Sequence, residues 1–316
     1  MVNAVETALL FLVGVAQALL LLLLAPLLSG MSRVLHAKFH SRRGPPVLQD
    51  YYDLGKLLAR AEVIPAEAGL VFRATPYVLV VAMLLVAMAI PALMTRSPVS
   101  AAGDLIAVIY FFALSRFFFA LSGVDSGSMF AGIGAGRETT LAVLNEPVMM
   151  LSLFVVALIA GSTNLGVISA SIFAGPTQAF AATAMAMVAF AFAIFLEMGK
   201  LPLDLVEAEQ ELQEGPLTEY SGCALALIKW GLYLKQTVTA ALFLAVFVPA
   251  GAAATLAPLP LVLAAVVLVL KLVVVFLAIA FVENTMARIR FLSSSRLTFV
   301  AASAAVLAFA FSLAGV

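Results

Sequence analysis

Charge is scarce in this chain: Asp, Glu, Lys and Arg make up 11% of its 316 residues, against 64% that are apolar. So little polar side chain cannot cover a surface in water, which excludes a soluble globule and implies a polytopic membrane protein. The 17 basic and 17 acidic residues cancel, so no electrostatic nucleic-acid binder is expected. Cysteine is nearly absent too. The lone Cys223 excludes an internal disulfide, a Cys-ligated iron–sulfur cluster and a thiolate nickel site, so any redox metal must sit in another subunit. Histidine is limited to His36 and His40, spaced i, i+4. No third ligand follows them, and Arg33, Lys38 and Arg42 disfavour a cation, so no metal site is expected. No two histidines lie at mid-membrane depth in different helices, which excludes bis-histidine haem ligation. The first apolar run, ALLFLVGVAQALLLLLLAPLL, lacks a basic leader and a small-residue cleavage site, and reads as a retained span rather than a signal peptide.

What the chain has instead is apolar length. Windows long enough to cross a bilayer fall near 6–29, 72–94, 104–122, 139–160, 178–197, 224–250, 260–282 and 296–314. The expected fold is therefore all-α, with about eight transmembrane helices in a single membrane domain over 1–316. Charged connections (30–73, 122–138, 197–223, 283–296) alternate with nearly uncharged ones (95–103, 161–177, 251–259). The first charged loop carries Arg33, Lys38, Arg42, Arg43, Lys56, Arg60 and Arg73, the last carries Arg288, Arg290 and Arg296, and the uncharged set has only Arg96. The positive-inside rule then makes the charged loops cytoplasmic and puts both termini on the other side. No matched pair of broken helices, the mark of many secondary transporters, is found.

Within the first loop, SRRGPPVLQDYYDLGKLLARAEVIP reads as a Gly-Pro turn followed by an interfacial amphipathic helix of about four turns. Val47, Leu48, Tyr51, Leu54, Leu58 and Ala61 fall on one side, and Asp50, Asp53, Lys56 and Arg60 on the other.

Charge is concentrated in Glu197 to Gly222, EMGKLPLDLVEAEQELQEGPLTEYSG, where 26 residues hold seven of the chain's 17 acids. Carboxylates at the mouth of two apolar segments must be solvated, bound to a basic partner, or used to carry protons. After Pro202, which suits a first helical turn, LDLVEAEQELQE can form a short helix with Glu207, Glu211 and Glu214 on one face. Glu197 and Glu219 bracket the loop at the membrane boundary. Glu146 lies about two turns into the fourth span, before Pro147, as a proton carrier or as a paired acid with Lys229 as one possible partner. Lys235 and Lys271 fall near the middle of the sixth and seventh spans, as proton-exchanging groups or as ion-pair partners of Glu146 or Glu283. Lys229 and Arg116 lie near cytoplasmic ends and can snorkel, and the Phe-rich run FFALSRFFFAL reads as packing surface.

The segments SRRGPPVLQDYYDLGKLLAR, FFFALSGVDSGSMFAGIGAGRE, EMGKLPLDLVEAEQELQEGPLTEYSG and ENTMARIRFL, spread over nearly the whole chain, resemble the membrane subunit of the hydrogenase-4 and formate hydrogenlyase group of membrane-bound nickel–iron (NiFe) hydrogenases. That subunit is similar in turn to the heel subunit of respiratory complex I. Arg42, Gly44 and Pro45 match the family's Arg-x-Gly-Pro turn. Arg137 and Glu146 match an Arg and a Glu nine apart, and Pro202, Asp204, Glu207, Glu209, Glu211, Glu219 and Tyr220 match the loop between the fifth and sixth spans.

The resemblance implies a subunit of a bacterial cytoplasmic (inner) membrane complex that has no catalytic residue and binds no cofactor. The nickel–iron centre and iron–sulfur clusters are expected in its partners: the hydrogenase large and small subunits, iron–sulfur electron-transfer subunits and antiporter-like membrane subunits. On this reading Glu146, Glu197, Asp204, Glu207, Glu211, Glu219, Lys235 and Lys271 form a proton relay. Arg42, Arg43, Gly44, Pro45, Arg137, Glu209, Glu214, Arg288 and Arg290 dock the soluble arm. Two departures, Ser32 in place of the heel subunit's Glu, and Pro216 with Leu217 in place of an aromatic-His pair, weigh against the quinone site of a complex I type NADH dehydrogenase. An independent ion transporter is the other alternative.

Overall fold

The computed structural model describes residues 4–98, 103–174, 179–206 and 209–315. Among these, eight helices are long and apolar enough to cross a membrane. They are α1 (Ala4–Phe39), α3 (Leu70–Ala89), α4 (Leu105–Asp125), α5 (Met129–Ala160), α7 (Phe180–Glu197), α9 (Gly222–Phe247), α10 (Pro258–Thr285) and α11 (Phe291–Ala314). Each expected window has its helix. Short elements lie between them: α2 (Gln49–Leu58), α6 (Leu165–Phe173), α8 (Glu209–Leu212) and a 3₁₀ turn, Gly215–Leu217. In hydrocarbon a backbone must satisfy its own hydrogen bonds, which is why every apolar run resolves as helix.

Association between such helices depends on close packing rather than on escape from water, and the sequence supplies small residues where backbones approach. Ala182, Ala186, Ala189 and Ala193 line the fully buried side of α7, which packs against α11 through its own buried Ala301, Ala305 and Ala308. α9 is the most enclosed span, contacting α1, α2, α3, α6, α7 and α10.

Prolines inside two spans are compensated by side chains from elsewhere. A proline has no N–H, so Pro26 leaves the carbonyl of Leu22 without its helical donor, and Pro76 does the same to Phe72. Trp230 Nε1 donates to Leu22 O at 3.0 Å, tying α9 to α1, and the Tyr220 hydroxyl donates to Phe72 O at 2.8 Å. Tyr220 also stacks on Phe72, with ring centroids 3.9 Å apart. Burial pushes the Tyr220 hydroxyl up to about 12. Its contribution is therefore complete below the ordinary tyrosine value of about 10 and is lost as pH rises through about 12. Tyr220→Phe should lower stability by about 1 kcal/mol. In thermal melts of the solubilised protein, the wild-type advantage should be constant below pH about 10 and vanish by about 12.

The interfacial helix differs from its expectation in length and in rotation. α2 has ten residues, under three turns, and ends before Ala61. Asp50, assigned to the polar side, is buried and pairs with Arg33 of α1, which turns the helix so that Leu48, Tyr52 and Leu58 are exposed. The approach to α1 is close: a Cβ at Gly30 would stand 2.1 Å from the carbonyl oxygen of Val47. Pro202 is not in a helical turn but in an irregular turn after α7.

Candidate functional site

Four spans bring five ionisable side chains together: Arg116 on α4, Glu138 and Glu146 on α5, Glu197 at the end of α7, and Lys235 on α9. Glu197 is the centre. Arg116 grips both of its oxygens, through Nε at 2.8 Å and through Nη2, a fork that suits a planar carboxylate. Lys235 Nζ lies 2.9 Å from the same carboxylate, and Asn145 Nδ2 donates to it at 3.3 Å while also holding Ala193 O at 3.0 Å. Around this core, Arg116 lies 3.7 Å from Glu138 and 3.8 Å from Glu146, and Lys235 lies 4.0 Å from Glu138. The side chains of Arg116 and Glu197 are 6% and 1% exposed, so water does not screen them.

Two cations against three carboxylates leave a formal charge of 2 − 3 = −1. A low-dielectric cluster with one surplus carboxylate is electrostatically costly while all three acids are ionised. Two polar atoms in it, Arg116 Nη1 and Asn145 Oδ1, are buried without a hydrogen-bond partner.

Two cavities with shared walls lie between the charged-loop end and this cluster. A cavity of about 580 Å³ is lined by Ser32, Arg33 and His36 of α1, by Lys229 of α9 and by Glu283 of α10. A smaller one of about 50 Å³ is lined by Arg116, Glu138, Glu197 and Lys235. Gly199, Asp204, Leu232 and Gln236 line both. Ser32, one of the departures, donates to Glu283 at 3.1 Å, and Leu217, part of the other, is also in the larger wall.

The acidic loop does not form one carboxylate face. Helix α8 stops at Leu212 because Gln213 and Glu214 take positive φ values of 50° and 72°. Glu211 then pairs with Arg137 at 2.8 Å, and Glu214 with Lys229 at 3.5 Å. Arg137 also donates to Leu205 O at 3.2 Å and lies over the Phe291 ring, so it clasps α5, the loop and α11 together. Asp204 pairs with Arg288. Glu219 is half-buried, while Arg42, Arg43 and Arg290 are exposed. Glu207 lies outside the described residues, as does the side chain of Glu209.

Other placements depart from expectation. Arg116 does not snorkel but is the buried hub, and Lys229 serves Glu214 rather than Glu146. Lys235 faces Glu197 and Glu138 rather than Glu146 or Glu283. Lys271 joins none of them. It donates to Val248 O at 2.6 Å and to Ala250 O, capping the C-terminal end of α9, roughly 20 Å along that helix from Lys235. Sequence reasoning passed over Glu138 and Asn145, which are seven residues apart and so share a helical face. Glu138 lies just outside the window at 139–160, whereas α5 starts ten residues earlier, at Met129. The signal for Arg116 was present, as a guanidinium inside a Phe-rich span.

Comparison with known proteins adds the family. A model of the NADH dehydrogenase family matches residues 12–314. The chain is 52% identical to hydrogenase-4 component C of Escherichia coli (strain K12) over 302 residues, covering 96% of each chain. It is 50% identical to formate hydrogenlyase subunit 4 of the same organism over 293 residues, covering 93% of this chain and 95% of the relative. Among solved structures it is similar to a chain of the membrane-bound sulfane sulfur reductase, an archaeal respiratory membrane complex. That match has a TM-score of 0.83 at 23% identity, covers 95% of this chain and 99% of the other, and speaks for the fold.

Proposed function

We propose that this chain, which belongs to the NADH dehydrogenase family, is the integral membrane subunit of a membrane-bound nickel–iron hydrogenase complex. It anchors the soluble hydrogenase arm and couples that arm's redox chemistry to proton translocation. The observation that carries this reading is the buried cluster around Glu197, joined to the charged-loop end by adjoining cavities. The two relatives of half or greater identity supply the reaction class.

The nickel–iron centre and the iron–sulfur clusters, in the large, small and electron-transfer subunits, supply the electron and hydrogen chemistry. This chain's residues handle the proton. A change of charge above the loops alters the field at Asp204 and Gln236, which stand between the cavities, and shifts where the cluster's proton rests among Glu138, Glu197 and Glu146. From Glu146 the signal passes towards antiporter-like subunits. The loops carrying Arg42, Arg43 and Arg290 face the arm on the cytoplasmic side of the inner membrane, and both termini lie on the other side. Arg137, Glu211, Glu214 and Arg288 act from within as the frame that holds the docking loop in shape.

The 580 Å³ cavity favours a second reading, a quinone site in an NADH dehydrogenase. Its walls argue against this, because Arg33, His36, Lys229 and Glu283 interrupt the apolar cover that Leu201, Leu217, Leu232 and Tyr233 offer a ring and tail. Purification of the intact complex under mild conditions should yield nickel together with the large and small hydrogenase subunits. A complex with flavin and NADH oxidation but no nickel would reverse the assignment.

A further inference from the structure

Glu146 differs from the rest of its cluster in being open to the outside of the bundle. Its carboxylate reaches Arg116 on the inner side, yet 38% of the side chain remains exposed, against 1% for Glu197 and 11% for Glu138. It is also deep. α5, at 32 residues, is longer than a bilayer crossing needs, and Glu146 lies about two turns inside its apolar window at 139–160. A glutamate is too short to snorkel from there to a headgroup. Around it lies a groove of about 350 Å³ between α4 and α5, with walls of Ile106, Ile109, Tyr110, Ala113, Val143 and Met150. Of these, Tyr110 is 68% and Val143 is 73% exposed.

Val143, which lines the same groove, carries a second free acceptor. Pro147 deprives the carbonyl of Val143 of its helical donor, as Pro26 and Pro76 do to Leu22 and Phe72. Those two carbonyls are served by Trp230 and Tyr220 of this chain. No side chain among the described residues donates to Val143 O. Hydrocarbon can supply neither a proton donor nor a counter-charge, so lipid is a poor cover for a groove that holds a carboxylate. With its three carboxylates ionised the cluster behind it carries a formal surplus of one negative charge, which favours a cation.

We propose that the α4/α5 groove receives a transmembrane helix of a second membrane subunit, which brings a Lys, Arg or His side chain to Glu146. The placement rests on burial and charge alone. Its consequence, that this contact is where the proton-linked signal leaves the chain, rests on the function proposed above.

The test is photocrosslinking in native membranes that hold the whole complex, with a photoreactive amino acid at Tyr110 and, as a control away from the groove, at Leu259 of α10. The Tyr110 probe should give an adduct on a membrane-spanning helix of another subunit, within about one turn of a Lys, Arg or His. Glu146→Gln should reduce that adduct at least several-fold and leave the Leu259 pattern unchanged. Replacing the partner's basic residue by Glu should be rescued by Glu146→Lys. Adducts on phospholipid only, on a second copy of this chain, or on a helix without a basic residue nearby would overturn the proposal. The outcome is separable from the hydrogenase assignment. A basic partner helix in a nickel-free complex keeps the interface and removes the assignment, and lipid adducts in a nickel-containing complex do the reverse.

Discussion

Arg116→Met should remove this protein from assembled complexes. Arg116 is the cation that both oxygens of Glu197 face, and it is also the near neighbour of Glu138 and Glu146. Without it, Lys235 is the one cation left to three carboxylates, and the formal charge of the cluster falls from −1 to −2 around a Glu197 side chain that is 1% exposed. Breaking a buried ion pair by removing one partner costs about 3–5 kcal/mol, a large part of the whole stability of a typical domain. The expected result is loss of the chain from membranes or its recovery as aggregate, read by quantitative immunoblotting and by size-exclusion profile after mild solubilisation. Arg116→Lys keeps the charge but gives up the fork, and should fall between the two. Normal assembly of Arg116→Met would mean that the carboxylates are already neutral, and that the cluster is a hydrogen-bonded knot rather than a charge seat.

Glu197→Gln should have the opposite character, sparing assembly and removing coupling. The amide keeps the volume, its oxygen can still accept from Arg116 Nε and Lys235 while its NH2 replaces the oxygen that faced Asn145 and Arg116 Nη2, and the formal charge of the cluster goes to zero. What it cannot do is bind and release a proton. Dye-linked hydrogenase activity of the soluble arm should stay near wild type, while donor-driven hydrogen evolution by intact membranes falls on the order of 10²-fold, as expected when a proton-transfer group is deleted. Equal rates in both assays would remove Glu197 from the path and leave it a structural counter-ion. Glu138→Gln gives a graded comparison, because Glu138 stands 3.7 and 4.0 Å from the two cations rather than at hydrogen-bond distance.

The spans were readable because crossing a bilayer demands about twenty apolar residues in succession, a requirement written locally in the chain. Their partners were not. Arg116, Glu138, Glu197 and Lys235 come from four helices, and which charge meets which depends on rotations that a nearly all-apolar helix does not encode in its own periodicity. Asp50 illustrates the same limit. Local spacing puts it on the polar side of α2, whereas Arg33, seventeen residues earlier, draws it inward. The acidic loop misled for a different reason: its carboxylates fit one helical face only if the helix continues, and it ends at Leu212. Conversely, the unease about Glu146 beside Pro147 was legible, since an acid inside an apolar run is costly in any packing.

The seating of α2 on α1 carries a mechanical meaning. Gly30 lets the backbone at Val47 touch the span, Arg33 grips Asp50, and the Tyr51 hydroxyl holds the carbonyl of Leu23. These three fastenings, spread over about three turns of α1, tie the first loop to that span. α1 is also a wall of the larger cavity, through Ser29, Ser32, Arg33 and His36. A displacement of the surface loop would therefore bear directly on a wall of the chamber beneath it.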